Sequence, residues 1–410
     1  MLNKNYHAVK NCRLCKSQDI ETVLDFGETA LANSFLKEED LGKPEVRVQL
    51  EVFLCGKCGC VQLKHTVNPE ILFKHYLYES STSPSFRKHF EDYAKDVKEK
   101  LNLSSKDFIL EIGANDLVLL KPFKGMGFKN LYNVDPAENL AKKHQEKNIT
   151  TICDFFSDKL VNEKLSHLKG KFSLICANNV FAHISDLDSV VEGIRQLLNE
   201  DGVFVFEVTY LKSNIENLYF DMQYHEHIFT HSVAPLQAYF RQFNMEMFDV
   251  QIVNTHGGSI RGFVKKQNGK WKVEKSVEEF INQERSAGLF SIRTYYEFYH
   301  KILLLKERLL QSLIQFKNEG KRIWAYGAPA KLTTFSKVMG INHVLVEKIV
   351  EDAKLKQGLF APGTHIQIVS PEEFLKSQPD VCVILAWNFA EQIKEKYKNY
   401  RGLWINPFEK

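Results

Sequence analysis

Tyr224-His225-Glu226-His227 places a phenol, two imidazoles and a carboxylate in four consecutive residues of a 410-residue chain. An imidazole titrates near neutrality and suits a base, a carboxylate can fix its tautomer and support the imidazolium, and a phenol can donate a hydrogen bond to an oxygen gaining charge. Packing alone rarely needs so much titratable chemistry in one segment, so these residues point to an enzyme that moves protons. On an extended segment His225 and His227 point the same way, and spacing alone does not choose between them. A second chemistry is open to the same residues: His225, His227, His231 and Glu226 could hold a catalytic metal.

A different set of ligands stands at the start of the chain. Five of the eight cysteines fall in the first sixty residues, and four form the knuckles Cys12-Arg13-Leu14-Cys15 and Cys55-Gly56-Lys57-Cys58. Two such knuckles can wrap one Zn²⁺ with four thiolates, which leaves no position for water and makes the metal structural. The 39 residues between them exceed a usual zinc-ribbon spacing and predict a small β-rich insert, with strand character from Val46 to Leu54. Cys60 is one ligand too many and is expected to pack. Cys153, Cys176 and Cys382 read as small buried hydrophobes.

These groups need a scaffold, and the middle of the chain supplies one. Phe108 to Ile112 reads as a strand running into a turn at Gly113, with Glu111 at its end and Asn115 and Asp116 behind. A second strand ends in Val134-Asp135-Pro136, with Asp135 22 residues after Gly113, about where an acid in a βαβ unit reaches ribose hydroxyls. Strand signals recur before Asp154 and Phe155, from Phe172 to Asn178-Asn179, and from Gly202 to Val208, with a helix near Asp186 to Asn199. The alternation predicts a doubly wound parallel sheet. A full Gly-x-Gly-x-x-Gly is absent, which weakens NAD or FAD. A single glycine suits a cofactor without a pyrophosphate, such as S-adenosylmethionine.

Further on, Leu303 to Phe316 predicts an apolar-periodic helix packed between lobes. Lys321 to Lys331 then reads as strand, tight turn and helix start, opening a second α/β core. Tyr326, Gly327 and Lys331 mark a plausible diphosphate cradle there, with Asn388 after a later strand.

Composition fits this division. At 44% hydrophobic and 26% charged the chain is ordinarily globular, and its length suits two or three domains. Lys+Arg 54 against Asp+Glu 51 leaves +3, so no bulk field favours nucleic acid or a membrane surface. No leader and no long apolar run is visible, and a cytoplasmic monomer is expected.

Glu111-Ile112-Gly113-Ala114-Asn115-Asp116, Val134-Asp135-Pro136-Ala137-Glu138-Asn139, Asn178-Asn179-Val180-Phe181-Ala182-His183-Ile184 and Tyr224-His225-Glu226-His227 together resemble the sugar-nucleotide C-methyltransferases of branched deoxysugar biosynthesis. The resemblance extends to His256-Gly257-Gly258-Ser259-Ile260-Arg261, Tyr326 to Lys331 and Ala386-Trp387-Asn388-Phe389-Ala390, and so spans nearly the whole chain. It implies an α/β protein of three parts: a small zinc-binding domain over 1–70, a Rossmann-like S-adenosylmethionine domain over 71–248, and a second Rossmann-like domain over 249–410 that binds a nucleotide-sugar. The implied substrate is a dTDP-, GDP- or CDP-linked keto-deoxysugar, methylated at C3 beside a 4-keto group through an enolate. It also implies His227 as base with Tyr224 and Glu226 in support, and a substrate-site tyrosine at Tyr78, with Tyr76 beside it.

In this reading Cys12, Cys15, Cys55 and Cys58 hold zinc. Glu111, Gly113, Asn115, Asp116, Asp135, Pro136, Asp154, Phe155, Asn178, Asn179 and His183 line the cofactor site. Tyr76, His225, Tyr326, Gly327, Lys331 and Asn388 face the substrate. Leu117 departs from the family, which usually carries glycine there, and Thr209 stands where proline is common. A leucine does not readily take φ > 0, so a differently shaped loop or an altered cofactor affinity is expected. The alternative is a nucleotide-sugar-binding protein that has lost methyl transfer. An ordinary O-methyltransferase would need neither an enolising base nor a sugar-nucleotide domain.

Overall fold

The structure is a computed structural model that describes residues 5–74, 79, 81, 84–143, 145–255 and 257–409. Strands β1 (Tyr6–Ala8), β2 (Ile20–Ala30), β3 (Arg47–Cys55), β4 (Val61–Leu63) and β5 (His65–Val67) build the N-terminal part. In β3 the buried Val48, Leu50 and Val52 alternate with Gln49 and Glu51, so a period of two turns one face inward. β2, β3 and β4 pair antiparallel, which is the expected β-rich insert.

The middle sheet takes β6 (Phe108–Ile112), β7 (Asn130–Val134), β8 (Ile149–Ile152), β9 (Phe172–Asn178) and β10 (Leu198–Thr209). β11 (Phe229–Thr230) leaves this sheet and pairs with β4, giving the N-terminal sheet the order β11-β4-β3-β2. β12 (Met245–Val253) and β13 (Ser259–Lys266) return to it, for an order β12-β13-β10-β9-β6-β7-β8. One correction to the sequence reading follows. The sheet is mixed, because β12 and β13 form a hairpin across a short turn and such strands must run antiparallel, as β13 also does to β10. Its hydrogen bonds continue to Lys266, and residue 249 falls inside β12.

Alternation divides the middle strands between two cores. Leu110, Ile175, Phe204 and Phe206 face one layer, while Ile109, Leu174, Val203 and Val205 face the other. The helix Leu187–Leu197 covers the first layer with Val190, Val191 and Ile194. Its start is fixed by Asp186, whose side chain accepts from Ser189 N–H.

The last sheet is wholly parallel: β14 (Ile323–Tyr326), β15 (Lys348–Val350), β16 (Gln367–Val369), β17 (Val381–Ile384) and β18 (Leu403–Ile405), in the order β16-β15-β14-β17-β18. The helix Ile292–Asn318 runs longer than the periodicity alone marks out. It buries Phe298, Ile302, Leu305, Leu309 and Leu313 against β2 and β14. One core therefore joins Leu50, Val52 and Leu54 of β3, Phe220, and Ile323 and Ala325 of β14. Cys176 and Cys382 are buried as expected, but Cys153 is exposed, because β8 ends one residue before it. Among the described residues no helix is long and apolar enough to cross a membrane.

Candidate active site

Two tight turns bring the knuckle sulfurs together. Lys16 N–H donates to Cys12 O at 2.9 Å and Gly59 N–H to Cys55 O at 2.8 Å, with Lys16 at φ 60° and Gly59 at φ 76°. The Sγ atoms of Cys12, Cys15, Cys55 and Cys58 lie within 4.8 Å of one another, with Cys12–Cys58 at 3.6 Å and Cys15–Cys55 at 3.5 Å. A tetrahedral zinc with bonds of about 2.3 Å sets sulfurs about 3.8 Å apart, so the donor set fits the ion. Gln62 Nε2 donates to Cys12 Sγ at 3.2 Å, and its Oε1 accepts from Arg13. Cys60 is buried and stands outside the four-sulfur group, as expected.

The ends of β6, β7 and β9 form the cofactor edge. Gly113 has φ 69°, and a Cβ there would come within 2.4 Å of Val180. Asp135 organises the loop: its Oδ2 accepts from Asn115 N–H and its Oδ1 from Ala137 N–H, both at 2.8 Å. Asp116 is fully buried and accepts from Ser81 N–H through Oδ2, while its Oδ1 has no partner. Glu111 Oε2 and both amide atoms of Asn178 are buried close to one another without a well-formed hydrogen bond. Burial pushes the Glu111 carboxyl up to about 8, with Asn178 drawing it back and Asp135 and Asp116 adding to the rise. A native fold rarely leaves several buried polar groups unmatched at one edge. They sit where parallel strands present their carboxyl ends to a ligand, and their mixture of acceptors and an amide suits an ammonium and hydroxyls. That donor set fits S-adenosylmethionine.

At the rim, Asp154 is ion-paired to Lys164 at 2.7 Å, which holds its carboxyl below the usual range, and the Phe155 ring is exposed. Pro136 is half-buried in the turn after β7, and Asn179 takes φ 54° with its N–H on Glu207 O. Leu117 overturns the expectation of a reshaped loop. It takes φ 64° itself, with its side chain buried in the core beside Leu119 and Leu120.

The opening tetrapeptide is not extended. His227 N–H donates to Tyr224 O at 2.8 Å, which closes a turn and sends the two histidines apart. His225 Nε2 faces Val48 O at 3.1 Å and its Nδ1 lies 3.5 Å from Thr29 Oγ1, both in the N-terminal sheet. His227 Nδ1 bonds Met222 O at 2.9 Å. A carbonyl only accepts, so Nδ1 carries the proton and Nε2 keeps a lone pair, which receives Tyr224 O–H at 2.8 Å. Burial holds the His227 imidazolium well below 6.5, with His183, His231 and Lys331 adding to the effect, so the ring is neutral at neutral pH.

The carboxylate expected to fix this tautomer does something else. Glu226 accepts from Asn33 Nδ2 at 2.8 Å, tying the turn to the loop after β2. His183 stacks on Phe73 at 5.7 Å, and its ring centroid lies 5.0 Å from that of His227, so it bridges the cofactor edge and the turn. The metal alternative does not hold. His231 Nε2 faces Phe181 O, His225 faces Val48 O, and the four cysteines form the only cluster of metal ligands among the described residues.

Three parts of the chain clamp the turn. Gln223 and Thr230 exchange two side-chain hydrogen bonds, at 2.7 and 3.0 Å, across its base. Thr334 Oγ1 donates to Gln223 O at 2.7 Å from the C-terminal part, and Phe229 N–H donates to Ala182 O from the middle. Gln223, Thr230, Asn33 and Thr334, which hold the turn, and Asp221 beside it are residues of the candidate site that the sequence reading did not single out. Asp221 and Gln223 carried a signal, since polar residues flank the motif; Asn33 and Thr334 carried none.

The residues expected to cradle a diphosphate make contacts within the protein. Tyr326 O–H bonds Asp352 and the Tyr397 hydroxyl inside the C-terminal core. Ala328 N–H, just after Gly327 at φ 93°, is taken by Glu351 Oε2 at 2.8 Å, so a carboxylate occupies the turn. Lys331 is nearly buried and donates to Asn388 Oδ1 at 2.9 Å. Tyr76, Tyr78 and His256 lie outside the described residues.

Comparison with known proteins places this geometry. Three family models match in order: "Putative zinc binding domain" over residues 12–73, "Methyltransferase domain" over 86–250, and "C-methyltransferase C-terminal domain" over 254–408. The C-methyltransferase NovU of Streptomyces niveus is 32% identical over 392 residues, which cover 96% of this chain and 93% of that one. Among solved structures, an S-adenosylmethionine-dependent methyltransferase from Clostridium acetobutylicum is 16% identical with a TM-score of 0.36, covering 44% of this chain and 91% of its own. The PH0226 protein of Pyrococcus horikoshii is 14% identical with a TM-score of 0.36, covering 46% and 94%.

Proposed function

The chain belongs to the C-methyltransferase family whose three models it matches in order, and from that membership we propose that it methylates a carbon beside the ketone of a nucleotide-linked deoxysugar. It is an S-adenosylmethionine-dependent enzyme with a structural zinc site. The nucleotide-sugar and the choice of C3 next to a 4-keto group are our reading. They rest on what the motifs resemble and on the chemistry of the turn.

The observation that carries the reading is the state of His227. Its Nδ1 proton is pinned to Met222 O, and its buried, neutral Nε2 offers a lone pair. Such a group can remove a proton next to a ketone, which methylation at carbon requires. In the proposed sequence Tyr224 turns its O–H from Nε2 to the ketone oxygen, and Nε2 takes the carbon-bound proton. The C–H electrons become the enolate, whose oxygen Tyr224 steadies as charge develops. S-adenosylmethionine, when bound, supplies the electrophilic methyl that the enolate carbon accepts. Glu111, Asp116 and Asn178 would hold the cofactor's polar groups, Asp135 the ribose, and Phe155 the adenine face. Glu226 positions the turn through Asn33 and does not orient the base.

Deuterium wash-in tests this directly. A dTDP-linked 4-keto-6-deoxyhexose, incubated in D₂O with S-adenosylhomocysteine, should exchange its proton beside the ketone. His227→Ala should lower that exchange by about 10²–10⁴-fold while calorimetry still detects S-adenosylhomocysteine. Undiminished exchange in the variant moves the base to another residue.

A further inference from the structure

A buried lysine and a buried carboxyl meet at the Trp387 ring beside the Tyr224–His227 turn, and the mechanism above uses neither. Lys331 precedes the helix Leu332–Met339, and its Nζ lies 3.3 Å from the centroid of the Trp387 ring. On the ring's edge, Trp387 Nε1 donates to Asp221 Oδ2 at 2.7 Å. Tyr219 stacks on the indole at 3.8 Å with the planes 17° apart. Asp221 is fully buried, its other oxygen has no partner, and it stands three residues before Tyr224.

Backbone choice shows that the stack is built in. Gly257 has φ 83°, and a Cβ there would come within 2.7 Å of both the Trp387 and the Tyr219 rings. The glycine of the sequence motif is thus what lets the sandwich close.

An ammonium over an indole face is held by the ring quadrupole, and a carboxylate on the indole N–H makes that face more negative. Asp221 therefore supports Lys331 through the ring. We propose that Lys331 is the cation that stabilises the anion formed when His227 takes the substrate proton, and that Asp221 is its positioning residue. The proposal rests on the enolate reading and assigns Lys331 to the sugar ketone rather than to a diphosphate. The proton passes to His227 Nε2, the C–H pair becomes the new C=C bond, and the carbonyl π pair moves onto the oxygen that faces Lys331. Burial pushes the Lys331 amine down and the Asp221 carboxyl up, and each draws the other back. His227 also senses Lys331, and Tyr219 senses Asp221.

The test uses the full zinc-loaded chain with ¹⁵N-labelled tryptophan, four in all. The Trp387 indole resonance, identified by its loss in Trp387→Phe, should shift in both Asp221→Asn and Lys331→Met while the other three stay in place. In deuterium wash-in on the dTDP-linked 4-keto-6-deoxyhexose, Lys331→Met should lower exchange at saturation by about 10²–10³-fold with KM little changed. Lys331→Gln should do the same, and S-adenosylhomocysteine binding shows that the variants are folded. An unmoved indole signal, or a raised KM with exchange at saturation intact, overturns the proposal and returns Lys331 to substrate binding. Absent exchange in the wild type overturns the enolate reading, and this assignment with it, even where the indole shifts are seen.

Discussion

Leu117 sets two opposed costs on one residue. Its left-handed backbone costs about 1–2 kcal/mol against the conformation a leucine prefers. Its side chain is 1% exposed in the core behind the cofactor loop, and deleting such a group costs about 2–5 kcal/mol. Burial outweighs strain, so Leu117→Gly should destabilise the protein by about 1–3 kcal/mol in urea denaturation despite relaxing the backbone. The loop the family closes with glycine is held here by packing. The histidines give a second residue-scale prediction. Burial pushes His225 and His231 each down to about 4, from about 6.5 in an unfolded chain. A depressed histidine leaves the unfolded state holding more protons, so stability is full above pH 6.5 and falls as pH drops toward 4. Melting temperature should follow that slope. His231→Phe, which preserves stacking on Phe181 and Phe229, should flatten part of it.

The Tyr224–His227 turn shows what an element's neighbours can hide from its sequence. β11 follows His227 by one residue and pairs with β4, where Gln62 stands opposite Phe229 and donates to the zinc ligand Cys12. The metal thus supports the strand that ends the turn. Removing zinc with a chelator should raise amide hydrogen exchange across residues 224–231 before it does so in β6 or β9, as mass spectrometry can follow. The cysteine knuckles and the strand–turn–strand rhythm from Phe108 to Asn178 were legible because their signals are local. The partner of Glu226 was not, because Asn33 lies 193 residues away and nothing in its flanks marks it. Nor did alternation along residues 245–266 reveal which sheet would claim those strands. The turn defeated the assumption of an extended segment for the same reason: its shape depends on Gln223 closing onto Thr230 and Thr334.

At the scale of the molecule, the three regions read from sequence share apolar cores. Leu313, fully buried on the helix Ile292–Asn318, packs in the core that joins β3, Phe220 and β14. Leu313→Ala should cost about 2–5 kcal/mol and shift the main melting transition, not a minor one belonging to a separate domain. Calorimetry distinguishes the two outcomes.

The clamp on the Tyr224–His227 turn also bears on anyone who would rebuild this protein from parts. Exchanging the last region for a relative's would replace Lys331, Thr334 and Trp387. A cut at residue 249 would moreover divide the hairpin of β12 and β13. A chimera joined after Lys266 that keeps those three side chains leaves the turn its supports, so the crossover point is set by hydrogen bonds and not by the apparent limits of the folds.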